Sequence, residues 1–259
     1  MRRKLILFCV IIAMSCHALE FLDVETLPIL RTKQYSMGSH RKVVIFSAPR
    51  TGSTLVYNIF RFLFEDHKNF SQSHNVFSQN NLVLKTHRFN QPKTLRGNNI
   101  LYVVPIRDPL ETSISTYRIR AQLPANLQNW CKWVVHNQVN HLVYAEKRKE
   151  AGHDVLFIKY EDFEGNLDYL IRFIENYFSI SISDFDKNTM LVGYSRENVY
   201  HNIHGLADFR EYLPISGFHG KHVVSEKFPP PDDVLYWLNQ YLQEESSLFQ
   251  KYGYLIYFD

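Results

Sequence analysis

Cysteine is nearly absent from this chain, with three in 259 residues, and two of them, Cys9 and Cys16, sit at the N-terminus. Removal of that segment leaves Cys131 alone, so no intrachain disulfide framework is available and the core has to hold by packing. Cysteine–histidine pairs at zinc spacing are missing, as is an acidic loop suited to calcium, and no metal is expected. Internal repeats, low-complexity stretches and linkers long enough to divide the chain are also absent. So is a charge excess. The formal +3 is carried by Arg2, Arg3 and Lys4, and the remaining basic and acidic residues are equal in number. No global field draws nucleic acid, so basic residues must act locally, one anion at a time.

Long hydrophobic runs are lacking as well. The uncharged run from Leu5 to Met14 falls short of the about 20 residues that a membrane-spanning helix needs. It follows Arg2-Arg3-Lys4 and precedes Ser15-Cys16-His17-Ala18, where small residues suit cleavage, so residues 1–18 read as a secretory signal. An uncleaved membrane anchor extending through Leu22 and a buried first helix are the alternatives. The expected location is the secretory pathway or a membrane, with an unprocessed cytoplasmic protein left open. Asn69-Phe70-Ser71 fits an N-glycosylation sequon, which matters only in a eukaryotic lumen.

What the chain does have is apolar mass: 45% hydrophobic and 15% aromatic residues, enough for a single large core. Strand-like runs at Val43–Phe46, Asn81–Lys85, Ile100–Pro105 and Val155–Tyr160 alternate with helical stretches. These cover Glu111–Arg120, about Leu127 to Lys149, Asn166–Phe178 and a last helix from Pro229-Pro230-Pro231 to Gly253. The alternation predicts an α/β fold of three layers, a mostly parallel central sheet with helices on both faces, over residues 41–259. Residues Glu20 to His40 lead into the first strand without a clear element.

The most informative stretch is Val43-Val44-Ile45-Phe46-Ser47-Ala48-Pro49-Arg50-Thr51-Gly52-Ser53-Thr54-Leu55. Four apolar residues without alternation suit a strand covered on both faces. A donor-rich turn and a helix follow. Helix N-terminal amides, the hydroxyls of Thr51, Ser53 and Thr54, and the Arg50 guanidinium can converge there on a phosphate or sulfate, and Gly52 lets the backbone come close. An ATP- or GTP-binding loop fits poorly: Ala48 or Ser47 stands where its first glycine belongs, and Ser53 where its lysine belongs. An ordinary capped strand-to-helix turn is the plain alternative.

Ligands of open parallel sheets bind beyond the carboxyl ends of the strands, so the residues there are the next candidates. The second run ends Lys85-Thr86-His87, the third ends at Arg107, and the fourth ends Tyr160-Glu161-Asp162. Lys85 and His87 alternate by two and can face one cleft as a cation and a general base. Arg107 and Ser115, about two helical turns on, can reach one phosphate. Read singly, each has a plainer account as a solvated loop histidine or a surface arginine.

Taken together and in this order, Pro49-Arg50-Thr51-Gly52-Ser53-Thr54, Lys85-Thr86-His87, the Arg107 to Ser115 spacing and Tyr160-Glu161-Asp162 resemble the sulfotransferases that use PAPS, adenosine 3′-phosphate 5′-phosphosulfate. The resemblance spans about Val43 to Gly253. It implies a PAPS-dependent sulfotransferase with a P-loop-like phosphosulfate-binding turn. Arg50, Thr51, Gly52, Ser53 and Thr54 would bind the 5′-phosphosulfate, Arg107 and Ser115 the 3′-phosphate, and Tyr160 would approach adenine. His87 would be the catalytic base, with Lys85 and Arg50 stabilising charge. Arg50 departs from the cytosolic members, which carry lysine there; a guanidinium can stabilise charge but cannot serve as a general acid. Ser216-Gly217-Phe218-His219-Gly220-Lys221-His222 occupies the place of a basic nucleotide lid, with Lys221 as its cation, or is a flexible surface loop.

The implied partners are PAPS and PAP with a small-molecule or glycan acceptor, and membrane association through the N-terminus. The acceptor pocket is expected from Asn90–Gly97 and Arg118–Trp130. Arg118 and Arg120 point toward an anionic acceptor and equally toward solvated helix charges. A nucleotide or small-molecule kinase with an unusual phosphate loop, or a non-catalytic binding protein of the same fold, is the competing function.

Overall fold

The computed structural model describes residues 21–65, 82–89, 91–92, 95, 99–119, 125–207, 210–222 and 229–256. The signal-like segment 1–18, the Asn69 sequon, Arg120 and most of the Asn90–Gly97 loop lie outside the described residues. Ten helices and four strands follow one another among those described. They are α1 (Leu27–Leu30), β1 (Lys42–Phe46), α2 (Ser53–Phe64), β2 (Val83–Thr86), β3 (Ile100–Ile106), α3 (Pro109–Arg118), α4 (Leu127–Glu150), β4 (Asp154–Lys159), α5 (Tyr160–Phe163), α6 (Leu167–Phe178), α7 (Asp184–Gly193), α8 (Arg196–Ile203), α9 (Asp232–Glu244) and α10 (Ser246–Lys251).

The strands form one sheet in the order β2-β1-β3-β4, with every pairing parallel. The expected α/β architecture is therefore the observed one. Side-chain alternation sends Val43 and Ile45 of β1 and Leu101 and Val103 of β3 to one face, where α2, α6, α7 and α8 cover them. Val104 and Ile106 face the other layer, built from α3, α4, α9 and α10. Covered on both sides, β1 and β3 are apolar almost throughout. Helix starts follow local chemistry. Asp108, Asn126, Asn166, Ser183 and Ser195 each cap a helix by accepting from a backbone N–H in its first turn.

Three details depart from the sequence expectations. The fourth strand stops at Lys159, and Tyr160 opens the short α5. The last helix is two, broken at Glu245, because an apolar stripe continues across the break and hides it from periodicity; Gly253, with φ of 79°, ends the second. The segment before β1 is not featureless. Leu27 is fully buried, and Glu25 accepts from the backbone N–H groups of Ile215 and Ser216 at 2.7 Å each.

Behind the carboxyl ends of β1 and β2, His141 of α4 is buried with its ring against Phe46 and Phe89, at centroid distances of 4.8 and 4.4 Å. Nδ1–H donates to the Asn137 carbonyl at 2.7 Å. Burial pushes the imidazole down to about 4, so it stays neutral in the fold while an unfolded chain protonates it near 6.5. The unfolded state then binds more protons between those values, and stability falls as pH drops through that window. At 1.36 kcal/mol per pH unit the effect amounts to about 3 kcal/mol. Urea denaturation between pH 7 and 4 is expected to show this decline in the wild type and a markedly flatter one in His141→Phe.

Candidate active site

β1 lies between β2 and β3, and the chain leaves it for one side of the sheet and later returns to the other. That reversal opens a crevice beyond the carboxyl ends of β1 and β3. The turn Ser47–Gly52 fills its floor. Thr51 Oγ1 donates within the turn, 3.0 Å from both Ser47 Oγ and the Ala48 carbonyl. Arg50 has φ of 72° and Gly52 φ of 80°, two left-handed residues that curl the turn and present the first amides of α2 to the crevice. For arginine that conformation costs about 1–2 kcal/mol, which the surrounding contacts must offset.

Those contacts tie three strand ends together. Arg50 Nε donates to Ser115 Oγ on α3 at 3.0 Å, Nη2 donates to the Lys221 carbonyl at 3.1 Å, and Nη1 lies 3.4 Å from His219 Nε2. Arg107, at the end of β3, sits with its guanidinium 4.6 Å from the Tyr160 ring centroid and 3.7 Å from the Glu111 carboxylate. The same Tyr160 ring closes over Gly52, where an added Cβ would come within 2.5 Å of it. From the neighbouring strand Lys85 Nζ donates to Thr54 Oγ1 at 2.7 Å. Arg50, Thr51, Gly52, Thr54, Lys85, Arg107, Ser115 and Tyr160 thus form one cluster, and Ser53 opens α2 beside them.

The electrostatics of the cluster are unbalanced. Burial, then the nearby Arg50, pushes the Lys85 ammonium down to about 8. Burial, then Arg107, lowers the Arg50 guanidinium to about 10. Among the described residues no carboxylate pairs with Arg50 or Lys85. Both residues keep part of their surface exposed, and two such cations side by side, with no counter-charge among the described residues, favour an anion between them.

His87 follows β2 directly. Its Nδ1 lies 2.6 Å from the Ser47 carbonyl. A carbonyl can only accept, so Nδ1 carries a proton, and when the ring is neutral its lone pair is at Nε2. His87 also lines a cleft of about 480 Å³ whose far wall is α4. Histidine and anion turn therefore share the Ser47 backbone.

The stretch Ser216–His222 is anchored rather than loose. Asn58 and Arg61 of α2 donate to the carbonyls of Ser216 and Ile215, each at 2.9 Å, and Phe218 is buried. Lys221 meets the cluster through its backbone carbonyl. Sequence reading missed Ser47 as the group that orients His87, His219 as a neighbour of Arg50, and the α4 wall of the cleft. None has a local signature, because each acts through a partner at least 40 positions away.

Fold and cluster define a parallel α/β domain with a cationic cluster at its strand-to-helix turn and a histidine-lined cleft beside it. Among solved structures the chain is similar to a mouse sulfotransferase, SULT7A1, complexed with PAP, at 16% identity over 88% of each chain with a TM-score of 0.47. It is also similar to a retinol dehydratase in complex with androsterone and inactive cofactor PAP, at 14% identity over 81% of this chain and 82% of that one, with a TM-score of 0.45. No protein-family model and no curated protein matches the sequence. Likeness at this level carries no chemistry, which has to come from the side chains.

The close approach at Gly52 yields a quantitative expectation. Gly52→Ala meets both the left-handed backbone penalty and the Tyr160 ring, whereas Gly152→Ala, at φ of 81° with nothing within 4 Å, meets the backbone penalty alone. Chemical denaturation should give a loss of about 1–2 kcal/mol for Gly152→Ala and a clearly larger one for Gly52→Ala. Equal losses would mean that Tyr160 does not cover the turn.

Proposed function

We propose that the protein transfers a sulfuryl group from PAPS to a hydroxyl or amine of an acceptor held in the cleft beside His87. The observation that carries this reading is the pair Arg50 and Lys85, largely buried together at the N-terminus of α2 with no carboxylate among the described residues paired to them, and with Arg107 and Ser115 next to them. PAPS fits that pattern in its chemistry. It is a compact polyanion whose phosphosulfate and 3′-phosphate need two adjoining anion sites. Arg50 through Thr54, with Lys85, would take the phosphosulfate, and Arg107 and Ser115 the 3′-phosphate. Tyr160 would lie along the adenine, and Lys221 would close the site from the Ser216–His222 stretch.

In the proposed reaction His87 Nε2 accepts the acceptor proton as the acceptor oxygen or nitrogen attacks sulfur. The sulfur–oxygen bond to the 5′-phosphate breaks, PAP leaves with the electron pair, and the sulfated acceptor departs. Negative charge grows on the former bridging oxygen, where Lys85, Arg50 and the α2 amides would stabilise it without rearranging. Positioning and charge stabilisation supply most of the catalysis, as in phosphoryl transfer.

PAP should raise the melting temperature without added metal, and ATP with Mg²⁺ should not; stabilisation by ATP with Mg²⁺ alone would replace this reading with a kinase. His87→Ala should lower transfer of labelled sulfate about 10²–10⁴-fold while leaving PAP affinity unchanged.

Lys85 gives the pH dependence its sign. In the free protein its proton is lost as pH rises through about 8, and a bound polyanion holds that proton on, so binding takes up a proton. PAP affinity measured by calorimetry should therefore fall as pH rises through 8 in the wild type and stay flat in Lys85→Ala. A flat wild-type profile would remove Lys85 from the donor site.

A further inference from the structure

The cleft on the far side of His87 carries information about the acceptor. Its α4 wall presents Trp133, His136, Asn137 and Asn140, spaced i, i+3, i+4 and i+7 along one helix face. His87, Arg88 and Phe89 make the opposite wall. Trp133 is 54% exposed and, among the described residues, has no ring or cation stacked on it. An indole held in water beside a catalytic histidine is an unfilled stacking platform.

The polar groups nearby are equally uncommitted. Among the described residues the side-chain amides of Asn137 and Asn140 have no hydrogen-bond partner; Asn137 is engaged only through its backbone carbonyl, which His141 occupies. Each amide offers two donors and an acceptor. His136 is oriented by Glu245 at 3.6 Å, and Phe89 is fixed against Phe46 and His141. The walls are thus set while their recognising groups stay available.

The described composition of this cleft favours one acceptor class over another. A planar phenol or a sterol needs an enclosing apolar pocket. Among the described residues no aliphatic side chain lines the cleft, and Trp133 and Phe89 are the apolar groups there. Two amides, two imidazoles and an exposed aromatic ring suit a ligand with a flat C–H face and hydroxyls around its edge.

We infer that the acceptor is a saccharide, with one sugar ring stacked on Trp133, its hydroxyls bonded to Asn137 and Asn140, and a neighbouring hydroxyl directed at His87 Nε2. This rests on the transferase reading above for its chemistry: the sugar oxygen bonds to sulfur as the sulfur–oxygen bond to the 5′-phosphate breaks, and the hydroxyl proton goes to His87. The cleft, of about 480 Å³, is open to solvent, so the rest of a longer saccharide can extend out of it.

Equilibrium binding of maltohexaose and of a chondroitin hexasaccharide to the full chain tests the inference independently of turnover, with 4-nitrophenol as the apolar comparison. At least one saccharide should bind, more tightly than 4-nitrophenol, and Trp133→Ala should weaken it about tenfold while Trp133→Phe recovers part of the loss. In labelled-sulfate assays the same variant should raise KM for the saccharide and leave KM for PAPS unchanged. Trp133 is exposed, so its replacement does not disturb the core, and an unchanged PAP thermal shift certifies the fold. A protein that binds PAP but neither saccharide, or binds them equally with and without Trp133, overturns the saccharide assignment alone. Saccharide binding that depends on Trp133 in a protein indifferent to PAP overturns the transferase reading and, with it, the acceptor role.

Discussion

The contact between the Arg50 guanidinium and Ser115 holds the candidate site together. It joins the turn after β1 to the helix after β3, and the same guanidinium reaches the backbone at Lys221. Arg50 does this from a left-handed backbone, and Gly52 lets the following helix start under the Tyr160 ring. The strain is local and modest, and three hydrogen-bonding neighbours from distant parts of the chain over-determine the geometry. The result is a preorganised cationic pocket in which Arg107 faces Glu111 while Arg50 and Lys85 have no carboxylate partner among the described residues.

That imbalance links stability to function. A buried carboxylate beside Lys85 or Arg50 would relieve their desolvation and also fill the place an anionic ligand would take. Several buried or part-buried carboxylates have structural tasks elsewhere. Glu65 accepts from the N–H groups of Leu82 and Val83 at the start of edge strand β2, Asp186 binds Thr32 and Tyr35, and Glu161 holds the Asp108 N–H and the Tyr254 hydroxyl. These polar clasps lie around the rim of the sheet and fix the loops. The crevice between β1 and β3 keeps its positive field, where it can act on one ligand at short range.

His87 stands at the junction of two sites with different chemistry. On one side the turn and its cations suit a phosphorylated or sulfated group; on the other the α4 wall offers an indole and amides. One backbone carbonyl, that of Ser47, orients the imidazole between them. This economy follows from the sheet: β1 and β2 are adjacent and parallel, with Phe46 opposite Thr86, so the residues just beyond them are neighbours by register.

Much of this was legible in the residues. The apolar run Val43–Phe46, the turn beginning at Arg50 and the strand ends at Lys85, Arg107 and Tyr160 follow from local rules: a doubly covered strand excludes polar side chains, and ligands gather where parallel strands end. The helix caps at Asp108, Asn126 and Asn166 are equally local. The break at Glu245 was not, because an apolar stripe spans both helices; nor was the anchoring of Ser216–His222, because its clamps Asn58, Arg61 and Glu25 lie far away in sequence. The amino-acid sequence by itself determined the layered fold and the kinds of chemical group at each strand end. Only the tertiary structure decided that Arg50 meets Ser115, that Lys85 comes beside Arg50 with no carboxylate of the described residues paired to it, and that Trp133 faces the cleft of His87. Burial, charge coupling and side-chain orientation are properties of neighbours in space, and those neighbours come from different turns of the chain.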